Sequence, residues 1–247
     1  NWTGLAPALE AQYAALNKVK GMPFDQGAAL APLPRAWQWL DGSAFESHGD
    51  LMQKVFRMDP SPKGRPLMYQ GMSDHFLPAT ADVPLPSEED GIDFEGEFGV
   101  ICDAVPMGTG ARSAGNHIRL VVQINDWSLR TLAPIEMKKF GAAEGYPMSY
   151  GFDELVAHAA RTRHLVAGTV IGSGTVSNDN YREIGSSCIA ERRGIEILDQ
   201  GAPQTSYMSF GDHVRMECLT RDGDPVFGAI DQRVIVSQKL RKSRRMS

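Results

Sequence analysis

The chain has 247 residues, 42% hydrophobic and 22% charged, with a net charge of −5. That is enough for one large or two small domains with a sizeable core. The acidic balance offers nothing that would draw the whole protein to nucleic acid or anionic lipid. No apolar run approaches the roughly 18 residues of a membrane span, and no secretory signal opens the chain. Cys102, Cys188 and Cys218 are odd in number and lack zinc-type spacing, so they read as buried thiols of a reducing cytoplasm. The chain opens on Asn1 rather than Met, so a longer natural start is expected.

Leu5, Leu9, Tyr13, Leu16 and Val19 have helical spacing, which Gly21-Met22-Pro23 ends. The prolines at 32 and 34 and the Asp41-Gly42 pair read as loop and turn. Leu51, Met52, Val55 and Phe56 predict a helix from His48 to Met58, followed by a loop of turn formers at 59–64. Residues 66–71 and 82–86 read as irregular. Ile92 to Asp103 predicts a strand, 107–116 a loop, and Ile118 to Ile124 a buried strand ending at Asn125-Asp126. A helix is expected from Phe152 to Leu165, a short strand at 169–171 and another at 187–191. A turn at 208–213 precedes a strand from Val214 to Leu219. Asp222-Gly223-Asp224 predicts a hairpin turn into 225–230, and Val234 to Val236 closes the sheet. The five basic residues between Lys239 and Arg245 read as a solvated tail. Many short strands with a few helices predict a β-rich α+β fold.

Within the 92–103 strand, acids alternate with apolar or small residues. Alternate side chains share a face, so Asp93, Glu95 and Glu97 project together, roughly 7 Å apart. Like charges so placed repel unless a cation or water relieves them. A solvated strand face is one reading; a site for a hard divalent cation, Mg2+ or Ca2+, is the other. Asp126, at the end of a second strong β pattern, is either a turn cap or a further ligand for that cation.

Asp-Phe-Glu-Gly-Glu-Phe (93–98), Ile-Asn-Asp-Trp-Ser-Leu-Arg (124–130), Gly-Ser-Gly-Thr-Val-Ser (172–177) and Phe210-Gly211-Asp212 occur in that order. Together they resemble the signature set of the fumarylacetoacetate hydrolase family, over about 34–236. The phrase at 66–71 is similar to a bacterial branch of it. The resemblance implies a mixed β-sandwich roll with flanking helices. It implies Glu95, Glu97 and Asp126 as metal ligands. Asp41, seven residues before His48, matches a fourth ligand of the namesake enzyme, which makes His48 the general base. Glu191 is implied as the residue that orients His48; its spacing from Gly185 differs by two from the family's, which on a strand preserves the face. Arg57, nine residues after His48, and Tyr69, Arg130 and Thr175 are implied as substrate-binding.

Two departures stand out. The family carries a lysine downstream of its N-D-W-S-x-R phrase, and neither Lys138 nor Lys139 has that context. Deleting core strands would expose sheet edges and an apolar face, so a segment is expected to be missing between Phe140 and Phe152. Ala133 replaces a glutamine that contacts substrate in the namesake enzyme.

The organisation read from these features is an N-terminal helical lead-in at 1–33, the remnant of a longer region, a catalytic domain at 34–236 and a basic tail at 237–247. The implied activity is metal-dependent hydrolysis of a carbon–carbon bond in a β-diketone acid, above all fumarylacetoacetate to fumarate and acetoacetate, in tyrosine catabolism. An acylpyruvate hydrolase, an oxaloacetate decarboxylase, a hydroxylated-dienoate hydratase or isomerase, and a non-catalytic metal-stabilised binding protein are the alternatives. The implied partner is a small diketo acid rather than nucleic acid or membrane, and the implied state is a cytoplasmic homodimer.

Overall fold

The computed structural model describes residues 2–19, 21–56, 66–132 and 148–237. Arg57, Ala133, Lys138, Lys139, the stretch that precedes Phe152 up to 147, and the basic tail from 238 lie outside the described residues. The two principal sheets are mixed. The larger has five strands: β1 (Trp39–Gly42), β2 (Met68–Gln70), β5 (Gly96–Cys102), β6 (Ile118–Asn125) and β8 (Thr169–Gly172), in the order β2-β1-β8-β5-β6. β1 runs parallel to β8; β5 runs antiparallel to both β8 and β6. The smaller sheet sets β10 (Pro225–Val236) between β3 (Val83–Leu85) and β9 (His213–Leu219). A two-stranded ladder pairs β4 (Ile92–Asp93) with β7 (Ser128–Leu129).

The described helices of more than four residues are α1 (Trp2–Leu16), α2 (Glu46–Phe56), α4 (Phe152–Ala160) and α6 (Ile189–Gln200). Single turns α3 (Ala111–Ala114) and α5 (Tyr181–Ile184) lie between them. In α4 the apolar residues Leu155, Val156, Ala159 and Ala160 fall on one face and are buried against Leu40, Val100 and Ile171 of the large sheet. Complete burial of such an aliphatic side chain contributes roughly 1.5–3 kcal/mol, so this face fixes the helix. The Glu154 carboxylate accepts the N–H of Gly151 at 2.9 Å and closes its first turn. A second cluster, around Ile92, Met208, Val214 and Val234, joins the ladder to the small sheet. Among the described residues no helix is long and apolar enough to cross a membrane.

Several sequence expectations are corrected. Asp41-Gly42 is the end of a buried strand rather than a turn. Residues 68–70 form an edge strand where irregular chain is expected. The 92–103 strand breaks at Phe94-Glu95 into β4 and β5. β6 is an edge strand with Leu120 and Val121 exposed, not a buried one. Glu191 lies in the first turn of α6, not on a strand, so a strand-face argument does not place it. Cys102 and Cys188 are buried free thiols, whereas Cys218 is half-buried.

Candidate metal centre

Three strands bring their ends together around one small volume. β1 supplies Asp41, β5 supplies Glu97, and the residue after β6 is Asp126. One carboxylate oxygen from each lies within 4.8 Å of the others. Glu97 is 1% exposed, and neither of its oxygens has a hydrogen-bond partner among the described residues. Oδ1 of Asp41 accepts the Gly174 N–H at 2.9 Å, and Oδ2 of Asp126 accepts the Tyr69 hydroxyl at 3.0 Å. At an effective dielectric of about 20, each pair of charges at such separations costs about 3 kcal/mol or more. The group therefore needs a cation or protons.

The electrostatics have that sign. Burial, then the charge of Glu95, pushes Asp41 up to about 7. Burial and the neighbouring carboxylates raise Glu97 well above the ordinary range. Asp126 rises for the same reasons, with Tyr69 and Arg130 opposing. Desolvation of its hydroxyl, then the charge of Asp41, holds Tyr69 in its protonated, donating form. Orphaned, all-oxygen, buried carboxylates fit a hard divalent cation.

The third strand end leaves room for these groups. A Cβ on Gly172 would stand 2.9 Å from both Oδ1 of Asp41 and Oε2 of Glu97. Gly174, at φ 72°, turns its amide onto Asp41 in a conformation that L side chains rarely adopt. The Gly172-Ser173-Gly174 phrase is thus the floor of the site. Nothing in its spacing alone shows that, because the crowding comes from strands distant in sequence.

Glu95 borders the group without joining it. Its Oε1 meets Arg130 Nη1 at 3.1 Å, and its Oε2 accepts the Thr175 hydroxyl. Arg130 also donates through Nε to Asp93 at 2.8 Å, which leaves Nη2 buried and without a partner among the described residues. Asp93 turns away from the other two acids and accepts backbone N–H groups of Phe94, Ile189 and Ala190. The break between β4 and β5 sends the three alternating acids to different places.

His48, on α2, places Nδ1 3.5 Å from Oε1 of the wholly buried Glu191. Helices α2 and α6 pack together, which sets this pair. Ser177, which sequence reading left unassigned, donates to the same Glu191 oxygen at 2.5 Å. At 3.5 Å from Glu191, His48 Nδ1 has no hydrogen-bond partner among the described residues; a shortened contact to Glu191 would fix the tautomer and leave Nε2 to take a proton. The structure thus brings Asp41, Glu97 and Asp126 into one cluster with Tyr69 on it, sets Glu95, Arg130 and Thr175 at its border, and pairs His48 with Glu191.

Residues 38–147 and 142–235 match the family model described as fumarylacetoacetate (FAA) hydrolase C-terminal. No protein of curated function matches the chain. Solved structures share the fold at low identity. A probable 2-hydroxyhepta-2,4-diene-1,7-dioate isomerase from Mycobacterium abscessus is 18% identical, with a TM-score of 0.56 over 95% of this chain and 91% of that one. Fumarylpyruvate hydrolase from Pseudomonas aeruginosa, solved with Mn2+ and pyruvate, is 12% identical, with a TM-score of 0.53 over 82% of this chain and 91% of that one. A 5-carboxymethyl-2-hydroxymuconate delta-isomerase from Mycobacterium smegmatis is 16% identical, with a TM-score of 0.51 over 85% and 82%.

Proposed function

The chain belongs to the fumarylacetoacetate hydrolase family, and from that premise we propose that it is a metal-dependent hydrolase that cleaves a carbon–carbon bond in a β-diketo acid, with fumarylacetoacetate as the leading substrate. The observation that carries this reading is the Asp41–Glu97–Asp126 cluster, with Glu97 buried and without a hydrogen-bond partner among the described residues. With Glu95 alongside, these residues would hold Mg2+ or Ca2+; Mn2+, present in the fumarylpyruvate hydrolase structure, also suits oxygen ligands. Bound there, such a cation would supply Lewis acidity to the substrate.

His48 takes a proton from water at Nε2, and the water oxygen attacks the carbonyl carbon. Glu191 offsets the positive charge that develops on the ring. The bond to the neighbouring carbon then breaks, and that carbon leaves with the electron pair and takes the proton that His48 holds. Tyr69 donates a hydrogen bond at the edge of the cluster. Arg57 binds one carboxylate end, where the arginine fork suits a planar anion; Arg130, whose Nε and Nη1 are taken by Asp93 and Glu95, offers Nη2 to the other, with Thr175 beside it through its backbone. In this reading the protein works as a cytoplasmic homodimer in aromatic amino-acid catabolism.

The test is an assay of purified protein with Mg2+ or Mn2+ against fumarylacetoacetate, acetylpyruvate and oxaloacetate. Cation-dependent release of fumarate and acetoacetate is the expected result. Turnover of acetylpyruvate or oxaloacetate alone would reassign the substrate. No turnover of any of them would remove the hydrolase reading. A second reading, isomerisation of a hydroxylated dienoate, draws support from the isomerases that share the fold. It needs the same base and the same cation, and ring-cleavage dienoates added to the assay separate it.

A further inference from the structure

We infer that Asp93 is a positioning residue for the cation site, acting through Arg130 on Glu95. The inference rests on the metal reading above and goes beyond it, because Asp93 touches neither the acidic cluster nor the base. Asp93 is 0% exposed, and every hydrogen bond it accepts comes from a fixed group. Oδ1 accepts the N–H of Phe94 at 2.8 Å and of Ile189 at 2.7 Å. Oδ2 accepts the N–H of Ala190 and the Nε–H of Arg130, each at 2.8 Å.

Ile189 and Ala190 open α6, where backbone N–H groups have no partner within the helix. Their bonds, with that from Phe94, fix the carboxylate between a strand and a helix. The carboxylate then has one remaining task, and Arg130 is its object. With Nε fixed by Asp93, the planar guanidinium has its orientation set, and Nη1 reaches Oε1 of Glu95 at 3.1 Å. Thr175 holds the other Glu95 oxygen. Glu95 is therefore held at both oxygens, and the Arg130 arm depends on Asp93. A helix cap alone would account for the α6 bonds. It would not account for a guanidinium shared edge to edge between Asp93 and a carboxylate that borders the cation site.

The test uses the full chain and Mn2+ as the probe, with affinity measured by titration calorimetry and folding by thermal denaturation in EDTA. The variants are Asp93→Asn, Arg130→Lys and the double. Lysine keeps the charge but cannot donate in two fixed directions at once. Each single variant is expected to weaken Mn2+ binding about 10- to 100-fold, the range for loss of a residue that orients a ligand. The double variant is expected to lose no more than the weaker single, since both act through one contact. Unchanged or tighter Mn2+ binding in the single variants, even with a lower melting temperature, would leave Asp93 as a cap and overturn the inference. Additive losses would overturn the route through Arg130. If Asp93→Asn does not fold, Arg130→Lys decides by the same criterion. Failure of the unsubstituted protein to bind Mn2+ would instead remove the metal reading itself, and this inference with it.

Discussion

Nδ1 of His48 stands 3.5 Å from Oε1 of Glu191, and that carboxylate oxygen is also held by the Ser177 hydroxyl. At that distance His48 Nδ1 makes no hydrogen bond among the described residues, and such contacts commonly tighten in catalytic pairs only when substrate binds. Replacing His48 removes the base and leaves the acidic cluster intact. His48→Ala is therefore expected to lower kcat by roughly 10²- to 10⁴-fold, the usual contribution of a positioned general base. Mn2+ affinity should be unchanged. Wild-type turnover in the variant would take His48 out of the mechanism.

The acidic cluster makes stability depend on pH in a way that a cation should reverse. Asp41 titrates at about 7 in the fold, raised by burial and by Glu95, and Glu97 and Asp126 also lie well above ordinary carboxylates. Unfolded carboxylates titrate near 4. Folded values above unfolded ones mean that stability is fully present below pH ~4 and is lost as pH rises through about 7. In EDTA the melting temperature should fall between pH 5.5 and 8. Added Mn2+ should raise it, and by more at pH 8 than at pH 5.5. An equal gain at both pH values would contradict this account of the site.

How legible the site was differs residue by residue. Glu97 stands out because alternation on a strand is a local property, and Asp126 because a strand end is visible where an aliphatic run stops. Asp41 is reached only through the family resemblance, which sets a ligand seven residues before His48; locally Asp-Gly reads as a turn. Here Asp41 and Gly42 pair with Tyr69 and Met68 of β2, and a Cβ on Gly42 would stand only 3.1–3.3 Å from Leu155, Met68 and the Gly172 carbonyl. The helix carrying Glu191 is hidden because Cys188-Ile189-Ala190 is too short an apolar run for its period to be read. The different fates of Asp93, Glu95 and Glu97 follow from a break between β4 and β5 that strict alternation does not encode. The need for glycine at 172 arises only when three strands converge.

Glu97 sets stability against binding, since both of its buried oxygens lack hydrogen-bond partners among the described residues. Glu97→Gln removes a charge from the cluster and should abolish tight Mn2+ binding together with activity. In EDTA at pH 8 the same variant should be more stable than the parent by about 0.5–2 kcal/mol, as when a strained functional site is relieved. Chemical denaturation curves with and without Mn2+ test both halves. Retained tight Mn2+ binding would count against Glu97 as a ligand. A loss of stability in EDTA would count against the electrostatic conflict.

Gly172 should be as sensitive as the carboxylates although it carries no charge. In Gly172→Ala the new methyl would stand 2.9 Å from Asp41 Oδ1 and Glu97 Oε2, and 2.4 Å from the Trp39 ring. Trp39 is buried in the sheet and cannot swing away freely. The two carboxylates must move apart or the β1–β8 pairing must open. Overpacking of this kind costs about 1–3 kcal/mol in a tight core, so the variant should fold with a lowered melting temperature. Displaced ligands bind less well, and Mn2+ affinity should fall by at least 10-fold, in keeping with losses seen when ligand orientation is disturbed. Gly108→Ala is the control for adding a methyl. That glycine also has a positive φ, 85°, but its Cβ would meet nothing within 4 Å. It should lose stability through backbone strain while keeping parental Mn2+ affinity. Equal Mn2+ affinities in Gly172→Ala and the parent would show that the cation sits away from the volume that Gly172 leaves open.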